Sequence, residues 1–232
     1  KKCIIVFFYR FFFCIRVNNI KEVIELDTIK KWLWVKIPLV VSLDFYEPKP
    51  AYPEKNVIIS LGNLIPKKRP EFLLRALKIV KDSGYTFTLK VIGEDRLRNH
   101  FPYSYVQLID KYNLTENIEV CGFIPHELLA SYTRDAFLYI NTSTQEWFCL
   151  ALYEMSMAGL FPIIPRILSF DNVFSDRALY YDPDSHEELA KYIIQVIHEK
   201  EKYHDLALKN QEYIKKEYNY DNIKNSLRNL LL

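Results

Sequence analysis

The stretch from Phe137 to Pro165, FLYINTSTQEWFCLALYEMSMAGLFPIIP, constrains the fold more than any other part of the sequence. It contains two continuous apolar runs, Phe137 to Ile140 and Leu160 to Ile164, separated by a polar turn and a short apolar segment. Uninterrupted apolar runs of this length are typical of parallel strands that are covered on both faces. The segment between them, Cys149 to Ala158, predicts a buried helix that ends at Gly159. The stretch therefore predicts one crossover of strand, helix and strand in a parallel sheet.

Two glutamates stand out within this crossover unit. Glu154 interrupts the otherwise apolar helix, and a lone buried carboxylate is costly unless a hydrogen bond or a cation compensates it. A backbone amide, a lysine or an arginine elsewhere in the chain is one explanation. Glu146, in the turn after the first strand, points to another, because ligands of open parallel sheets bind at the carboxyl ends of the strands.

Strands and helices alternate along most of the chain. The expected strands lie at Val57 to Gly62, Phe87 to Gly93, Ile118 to Gly122 and Ala178 to Tyr181, in addition to the two of the crossover unit. The expected helices lie at 70–83, 105–112, 126–133, 187–198, 203–218 and 221–232. This alternation predicts an α/β fold with a doubly wound parallel sheet of the Rossmann-like type.

Composition narrows the class of protein further. Half of the 232 residues are hydrophobic, 26% are charged and the formal net charge is +2, as in a globular domain with a sizeable core. A net charge this close to zero gives no reason to expect a nucleic-acid partner. The cysteines, at positions 3, 14, 121 and 149, have neither the spacing of a zinc site nor the density of a disulfide scaffold. We therefore expect reduced thiols in a cytoplasmic protein.

The first 36 residues differ in character from the rest. They open with the run CIIVFFYRFFFCI, which contains Arg10 and is shorter than the roughly 20 apolar residues of a membrane span. A buried strand or a remnant of another domain is the favoured interpretation, and a short anchor on a membrane surface is the alternative. Residues 21–36 fit an amphipathic helix. The proline-rich segment 37–53 predicts a linker.

The loop from Gly62 to Arg69 follows the first strand of the predicted sheet. It contains neither a glycine-rich dinucleotide motif nor a P-loop motif. Instead, Lys67, Lys68 and Arg69 lie just before a helix amino terminus, where free backbone amides already favour an anion such as a diphosphate. A solvated run of surface cations is the alternative. In a parallel sheet, Lys68 and Glu146 should lie at the same edge.

The spacing of these motifs resembles the nucleotide-sugar-binding half of the family 4 retaining glycosyltransferases, which have two facing Rossmann-like domains in the arrangement called GT-B. The resemblance covers roughly Ile37 to Leu232, and the linker Ile37 to Pro48 is similar to the segment that enters this domain. The matching motif positions are Gly62, Leu64, Pro66, Lys68, Gly93, Gly122, Phe123, Pro125, Glu146, Phe148, Glu154, Gly159, Asp182 and Pro183.

The resemblance implies transfer of a sugar, with retention, from a nucleotide diphosphate sugar to a glycan, lipid or protein acceptor. Glu146 would lie against the donor sugar, Glu154 would bind the ribose hydroxyls and Lys68 would neutralise the diphosphate. Glu146 and Lys68 are accordingly the expected catalytic residues. Because Lys68 and the helix terminus stabilise the leaving diphosphate, no cofactor and no metal are expected. The expected donor-binding residues are Asn63, Lys68, Phe123, Glu146, Phe148, Cys149, Leu150 and Glu154.

The sequence also departs from the family pattern. Asn63 stands where the family usually has an arginine, and its side chain cannot supply a bidentate cationic contact to phosphate; Arg69 is the candidate replacement. Trp147 and Cys149 occupy positions that are commonly glycine, which lets a backbone approach its ligand closely. The family carries a full acceptor-binding domain where only about 36 residues precede the linker here.

These observations divide the chain into a short N-terminal segment, 1–36, a linker, 37–53, a donor-binding domain, 54–212, and a C-terminal helix, 213–232, that packs back across the domains. A glycosyltransferase, or its donor-binding half, is the leading hypothesis, with a role in polysaccharide or other glycan synthesis. One alternative is a non-catalytic nucleotide-sugar-binding module whose partner supplies the acceptor domain. Another is an α/β domain that binds no nucleotide. The expected location is cytoplasmic, with peripheral membrane contact if the opening run is an anchor.

Overall fold

The computed structural model describes residues 2–8, 11–17, 54–146, 148–170, 173–219, 221–222 and 224. The chain divides into two compact units, Lys1–Val40 with Tyr220–Leu232, and Val41–Asn219. In the first unit, strands β1 (Lys2–Phe8) and β2 (Phe11–Val17) pair in antiparallel orientation. The opening apolar run therefore forms two paired strands rather than the single strand expected from its composition, with Tyr9 and Arg10 between them in the sequence.

The second unit is built on a six-stranded sheet in which every neighbouring pair of strands is parallel, in the order β5-β4-β3-β6-β7-β8. The strands are β3 (Val57–Leu61), β4 (Thr88–Ile92), β5 (Ile118–Gly122), β6 (Ala136–Ile140), β7 (Phe161–Pro165) and β8 (Leu179–Tyr181). This architecture confirms the predicted doubly wound parallel sheet. The strand order reverses between β3 and β6, because the chain adds β4 and β5 on one side of β3 and then returns to the other side.

Helices connect the strands. They are α1 (Pro70–Asp82), α2 (Tyr105–Lys111), α3 (Leu129–Thr133), α4 (Leu150–Met157), α5 (His186–His198) and α6 (Lys200–Glu217). Helix α1 begins with Pro70, which suits a first position because the missing N–H has no helical partner there. Its residues Leu73, Leu77 and Val80 recur at helical spacing and are buried against the sheet.

Both faces of the sheet are buried. Because successive side chains of a strand point to opposite faces, Ile58 belongs to one apolar cluster and Ile59 to the other. Helices α1, α2 and α5 cover the first face, and α4 with the C-terminal end of α6 covers the second. Full burial of each large aliphatic side chain contributes roughly 1.5–3 kcal/mol. The two clusters thus fix β3 and β6 in the middle of the sheet, where their carboxyl ends are adjacent.

Some sequence-based predictions fall outside the described residues. These are the linker 37–53, the helix expected at 21–36 and most of the helix expected at 221–232. The domain boundaries at 36, 53 and 212 stay predictions. None of the helices in the described part of the chain combines the length and the apolar composition needed to span a membrane.

Candidate functional site

The candidate site lies where the strand order reverses. The loop after β3 runs toward α1 and the loop after β6 runs toward α4, so the two connections lead away from each other and leave a crevice at the carboxyl ends of both strands. Two hydrogen bonds join these loops. The Thr144 N–H donates to the Lys67 carbonyl at 2.9 Å, and Thr142 Oγ1 donates to the Lys68 carbonyl at 2.6 Å. The sheet topology and these bonds together hold Lys68 opposite the β6 loop.

Lys68 and Glu146 form a partly buried ion pair in this crevice. The Lys68 ammonium donates to Oε1 of Glu146, and Ser143 Oγ donates to the same oxygen at 2.6 Å. The Glu146 side chain is 9% exposed and that of Lys68 is 22% exposed. Charges this sheltered depend on each other, because removing one leaves the other desolvated and unpaired. The two residues expected to share an edge of the sheet are therefore in direct contact.

The shape of the β3 loop brings Lys68 to this position. Pro66–Lys68 forms a short 3₁₀ turn, and Arg69 closes it with a left-handed backbone, φ 48°. Gly62 has φ 134°, and a Cβ there would lie 3.5 Å from Cε of Lys68. A cavity of about 20 Å³ beneath the lysine, lined by Gly62 and Asn141 among others, has room for one water molecule. A diphosphate would therefore have to lie in the open crevice.

Asn63 and Arg69 face away from the ion pair. Oδ1 of Asn63 accepts a hydrogen bond from the Glu94 N–H at 3.1 Å, which ties the β3 loop to the β4 loop. The Arg69 guanidinium donates to the Pro183 carbonyl and lies 4.1 Å from the ring centroid of Phe72. Arg69 thus fastens the β3 loop to the β8 loop. The idea that Arg69 replaces the arginine missing at position 63 has no support in this geometry.

Glu154 has a partner that the sequence analysis missed. Nε2 of His126 lies 2.8 Å from Oε1 of Glu154, whose side chain is 15% exposed. The amide, lysine or arginine expected for this carboxylate is thus replaced by an imidazole. His126 follows Pro125 at the carboxyl end of β5, and this position after a strand was the only signal in the sequence that could have identified it.

The remaining predicted donor-binding residues are arranged around α4 and β5. Phe148 stacks on Tyr153, with ring centroids 4.5 Å apart, so its ring belongs to the core. Phe123, after β5, is 69% exposed, and Leu150 at the start of α4 is also exposed. The first N–H groups of α4 have no acceptor within the helix and lie in the segment that directly follows Glu146. Trp147 is outside the described residues.

Cys149 occupies a conformation that favours glycine. Its φ of 60° is left-handed, and it directly precedes α4 without capping the helix through its side chain. Nδ2 of Asn141 donates to its sulfur at 3.4 Å, and the Tyr139 hydroxyl lies 3.9 Å from the same atom. A glycine at this position would adopt the same backbone without steric cost. The geometry gives a physical reason for the glycine that is common here in the family the sequence resembles.

We expect the Cys149→Gly protein to be more stable than the Cys149→Ala protein by about 1 kcal/mol, because only alanine keeps a Cβ in the left-handed conformation. Both substitutions remove the thiol contacts, so the comparison isolates the backbone. Urea unfolding of the two proteins side by side measures the difference. An alanine variant that is at least as stable as the glycine variant would contradict the assigned strain.

The Cys149 thiol should react slowly with alkylating agents. Burial, reinforced by the neighbouring Glu146 carboxylate, raises the pKa of Cys149 to about 11. Since the thiolate is the nucleophile, alkylation at pH 8 should be at least about 100-fold slower in the folded chain than in urea, where an ordinary pKa near 8.5 applies. The rate should keep rising up to pH 11. Mass spectrometry of the Cys149 peptide after iodoacetamide treatment measures it, and a plateau near pH 9 in the folded chain would be inconsistent with the raised pKa.

Sequence comparisons agree with this placement of the fold and site. A family model described as "Glycosyl transferases group 1" matches residues 44–222. The chain is 23% identical over 151 residues to one component of the phosphatidylinositol N-acetylglucosaminyltransferase of Arabidopsis thaliana, an alignment that covers 64% of this chain and 33% of that protein. It is 25% identical over 152 residues to the GPI3 subunit of the transferase of the same name in Saccharomyces cerevisiae, covering 61% and 32%. The chain spans about a third of the length of these relatives.

Solved structures share the fold. Sucrose-phosphate synthase of Thermosynechococcus elongatus superposes with a TM-score of 0.71 and 20% identity, covering 88% of this chain and 55% of that one. The C-terminal domain of a glycosyl transferase group 1 protein, LpcC of Francisella tularensis, gives 0.68 and 19%, covering 78% and 99%. HepE of Anabaena, solved with UDP and glucose, gives 0.64 and 19%, covering 76% and 48%. The likeness to an isolated C-terminal domain confirms the expected GT-B half.

Proposed function

The chain belongs to the group 1 glycosyl transferases, and we propose that its crevice binds a nucleotide diphosphate sugar and that the sugar passes to an acceptor with retention. One observation carries this proposal. The Lys68 and Glu146 pair lies at the carboxyl ends of β3 and β6, where the strand order reverses. A cation and a carboxylate side by side at such a point suit a ligand with an anionic diphosphate and a sugar that becomes electrophilic.

The leaving diphosphate would be stabilised by Lys68 and by the free amides at the start of α4. An ammonium group has three donors, so Lys68 can keep its contact with Glu146 while it donates to a phosphate oxygen. The amides of Phe148, Cys149 and Leu150 would supply further donors to the phosphates. The Asn63 amide nitrogen is a further candidate donor. Charge on the leaving group is thereby balanced by groups of the chain itself, and the proposal involves no metal.

Glu154 is the proposed ribose anchor. His126 engages its Oε1, and among the described residues no hydrogen bond involves its Oε2. That oxygen can accept a hydrogen bond from a ribose hydroxyl, which would offset the cost of keeping a carboxylate on an apolar helix. With the ribose there, the base would extend toward the exposed ring of Phe123. Glu146 would then lie on the sugar side of the diphosphate.

A second candidate function is that of a donor-binding subunit whose partner supplies the acceptor domain. The relatives named above are subunits of a transferase, and this chain spans about a third of their length. Asn63, in place of the usual arginine, is consistent with weakened catalysis. The names of these relatives favour N-acetylglucosamine as the sugar and phosphatidylinositol as the acceptor. We propose that the chain then works at the cytoplasmic surface of a membrane.

Calorimetric titration of the full chain with UDP and with GDP tests the proposed function. We expect binding of at least one of them, and the tighter ligand is called the reference nucleotide below. The Glu154→Ala protein should bind it at least about 10-fold more weakly, since a buried carboxylate loses its ribose contact. Absence of binding by both nucleotides would overturn the proposal. Release of sugar from UDP-N-acetylglucosamine by the isolated chain would exclude the non-catalytic alternative.

A further inference from the structure

The hydrogen bond between His126 and Glu154 links two parts of the chain that the strand order separates. His126 begins a short 3₁₀ turn, His126–Leu128, after the edge strand β5, whereas Glu154 lies on α4 beyond β6. The residues around Glu154 on its helix, Leu152, Tyr153 and Met155, are buried and apolar. The imidazole is therefore the polar group that the described structure places on this carboxylate.

The direction of the bond follows from the chemistry of its partners. An ionised carboxylate can only accept hydrogen bonds, so Nε2 of His126 carries the hydrogen and donates. The imidazole occupies one lone pair of Oε1, and a carboxylate has about four such acceptor positions. Oε2 and the rest of Oε1 stay available to a ligand. His126 therefore fixes the orientation of the carboxylate without filling its binding capacity.

We infer that His126 is a positioning residue for nucleotide binding, which holds Glu154 in the orientation that the ribose hydroxyls require. This inference rests on the proposed function. A free glutamate side chain has several rotatable bonds, and ordering it at the moment of binding reduces affinity. A bond that is already formed in the unliganded chain removes part of that cost. His126 acts through Glu154 and needs no contact with the nucleotide of its own.

The opposite effect would follow if the imidazole competed with the ribose. In that case binding would have to break the bond to Glu154, and removal of His126 would tighten binding. The 2.8 Å bond is made to one oxygen only, and the His126 side chain is 40% exposed at the rim of the site. This arrangement supports positioning, because the imidazole approaches from the side of β5 and leaves the second oxygen of the carboxylate uncovered.

The test compares the reference nucleotide with its 2′,3′-dideoxy analogue, which lacks both ribose hydroxyls. The ratio of the two affinities measures recognition of the ribose and is insensitive to a general loss of folded protein. We expect the parent chain to favour the ribose form by about 30-fold or more, and His126→Ala to reduce that preference about 10-fold, as expected for one lost charge-assisted hydrogen bond. His126→Gln, whose amide can donate near the position of Nε2, should restore most of it.

Two further proteins make the experiment decisive. In the Glu154→Ala background, His126→Ala should have no further effect on the ratio, because the residue it positions is gone. His100→Ala removes an exposed histidine in the β4 loop and should leave the ratio unchanged. An unchanged or larger ratio in His126→Ala would overturn the inference while the proposed function stands. Failure of the parent chain to bind any nucleotide would overturn both.

Discussion

Replacing Gly93 with alanine should lower the free energy of unfolding by at least about 3 kcal/mol, which is a large part of the stability of a typical domain. Gly93 follows β4 with φ 140°, a conformation that other residues rarely adopt. A Cβ at this position would lie 2.5 Å from the carbonyl carbon of Gly62 and 2.9 Å from the backbone nitrogen of Asn63. Both obstacles are backbone atoms, so a change of rotamer cannot relieve the clash.

The clash would act directly on the candidate site. The Gly62 N–H donates to the Ile92 carbonyl at 2.8 Å, and the Gly93 N–H donates to the Gly122 carbonyl at 2.7 Å. These bonds hold the carboxyl ends of β3, β4 and β5 together, and the β3 loop that begins at Gly62 carries Lys68. Any shift that makes room for a Cβ at position 93 therefore moves the start of the phosphate-binding loop. We expect the folded fraction of this variant to bind nucleotide poorly as well.

Urea unfolding measures the first effect, with Gly84→Ala as the matched control. Gly84 also has a positive φ, 85°, but a Cβ there would have no atom within 4 Å. The control therefore includes the backbone strain without the clash, and we expect it to cost about 1–2 kcal/mol. If the two variants were equally stable, the close approach of the β3 and β4 loops would be wrong.

Replacing Lys68 with alanine should weaken binding of the reference nucleotide about 100-fold or more. The substitution removes the cation proposed to contact the diphosphate, and it leaves the 9% exposed Glu146 as an uncompensated negative charge beside the phosphates. Both effects act in the same direction. The protein should still fold, since Ser143 continues to donate to Glu146.

Lys67→Ala is the control for this prediction. It removes the same charge from the neighbouring residue, whose side chain is exposed, so screening by solvent should limit its effect to less than about 3-fold. Calorimetric titration of both variants provides the comparison. Equal losses in the two proteins would mean that the loop attracts the nucleotide only through its net charge, and the assigned role of Lys68 would fail.

The fold could be predicted from the sequence because its strands are buried on both faces. Runs such as Phe137 to Ile140 are continuous in the chain and need no knowledge of distant residues. Their alternation with helices indicates a parallel sheet, and parallel strands place their carboxyl ends at one edge. The contact between Lys68 and Glu146 could be anticipated for this reason, although 78 positions separate them. Their common edge follows from topology alone.

The partners of individual side chains could not be predicted in the same way. Topology fixes which loops meet, but rotamers and loop conformations decide which atoms touch. Arg69 was a plausible substitute for the arginine missing at position 63, yet its left-handed backbone directs it toward Pro183. The pairing of His126 with Glu154 depends on how the β5 loop turns after Pro125. No spacing rule in the sequence encodes that turn.

The most direct test of the account is a crystal structure of the full chain with the reference nucleotide bound. The account predicts diphosphate oxygens within about 3 Å of Nζ of Lys68 and a ribose hydroxyl within the same distance of a Glu154 oxygen. The alternative position is a groove of about 240 Å³ beside α1, lined by Arg69, Phe72 and Arg75 among others. A nucleotide in that groove, with no contact to Lys68 or Glu154, would contradict the proposed donor site.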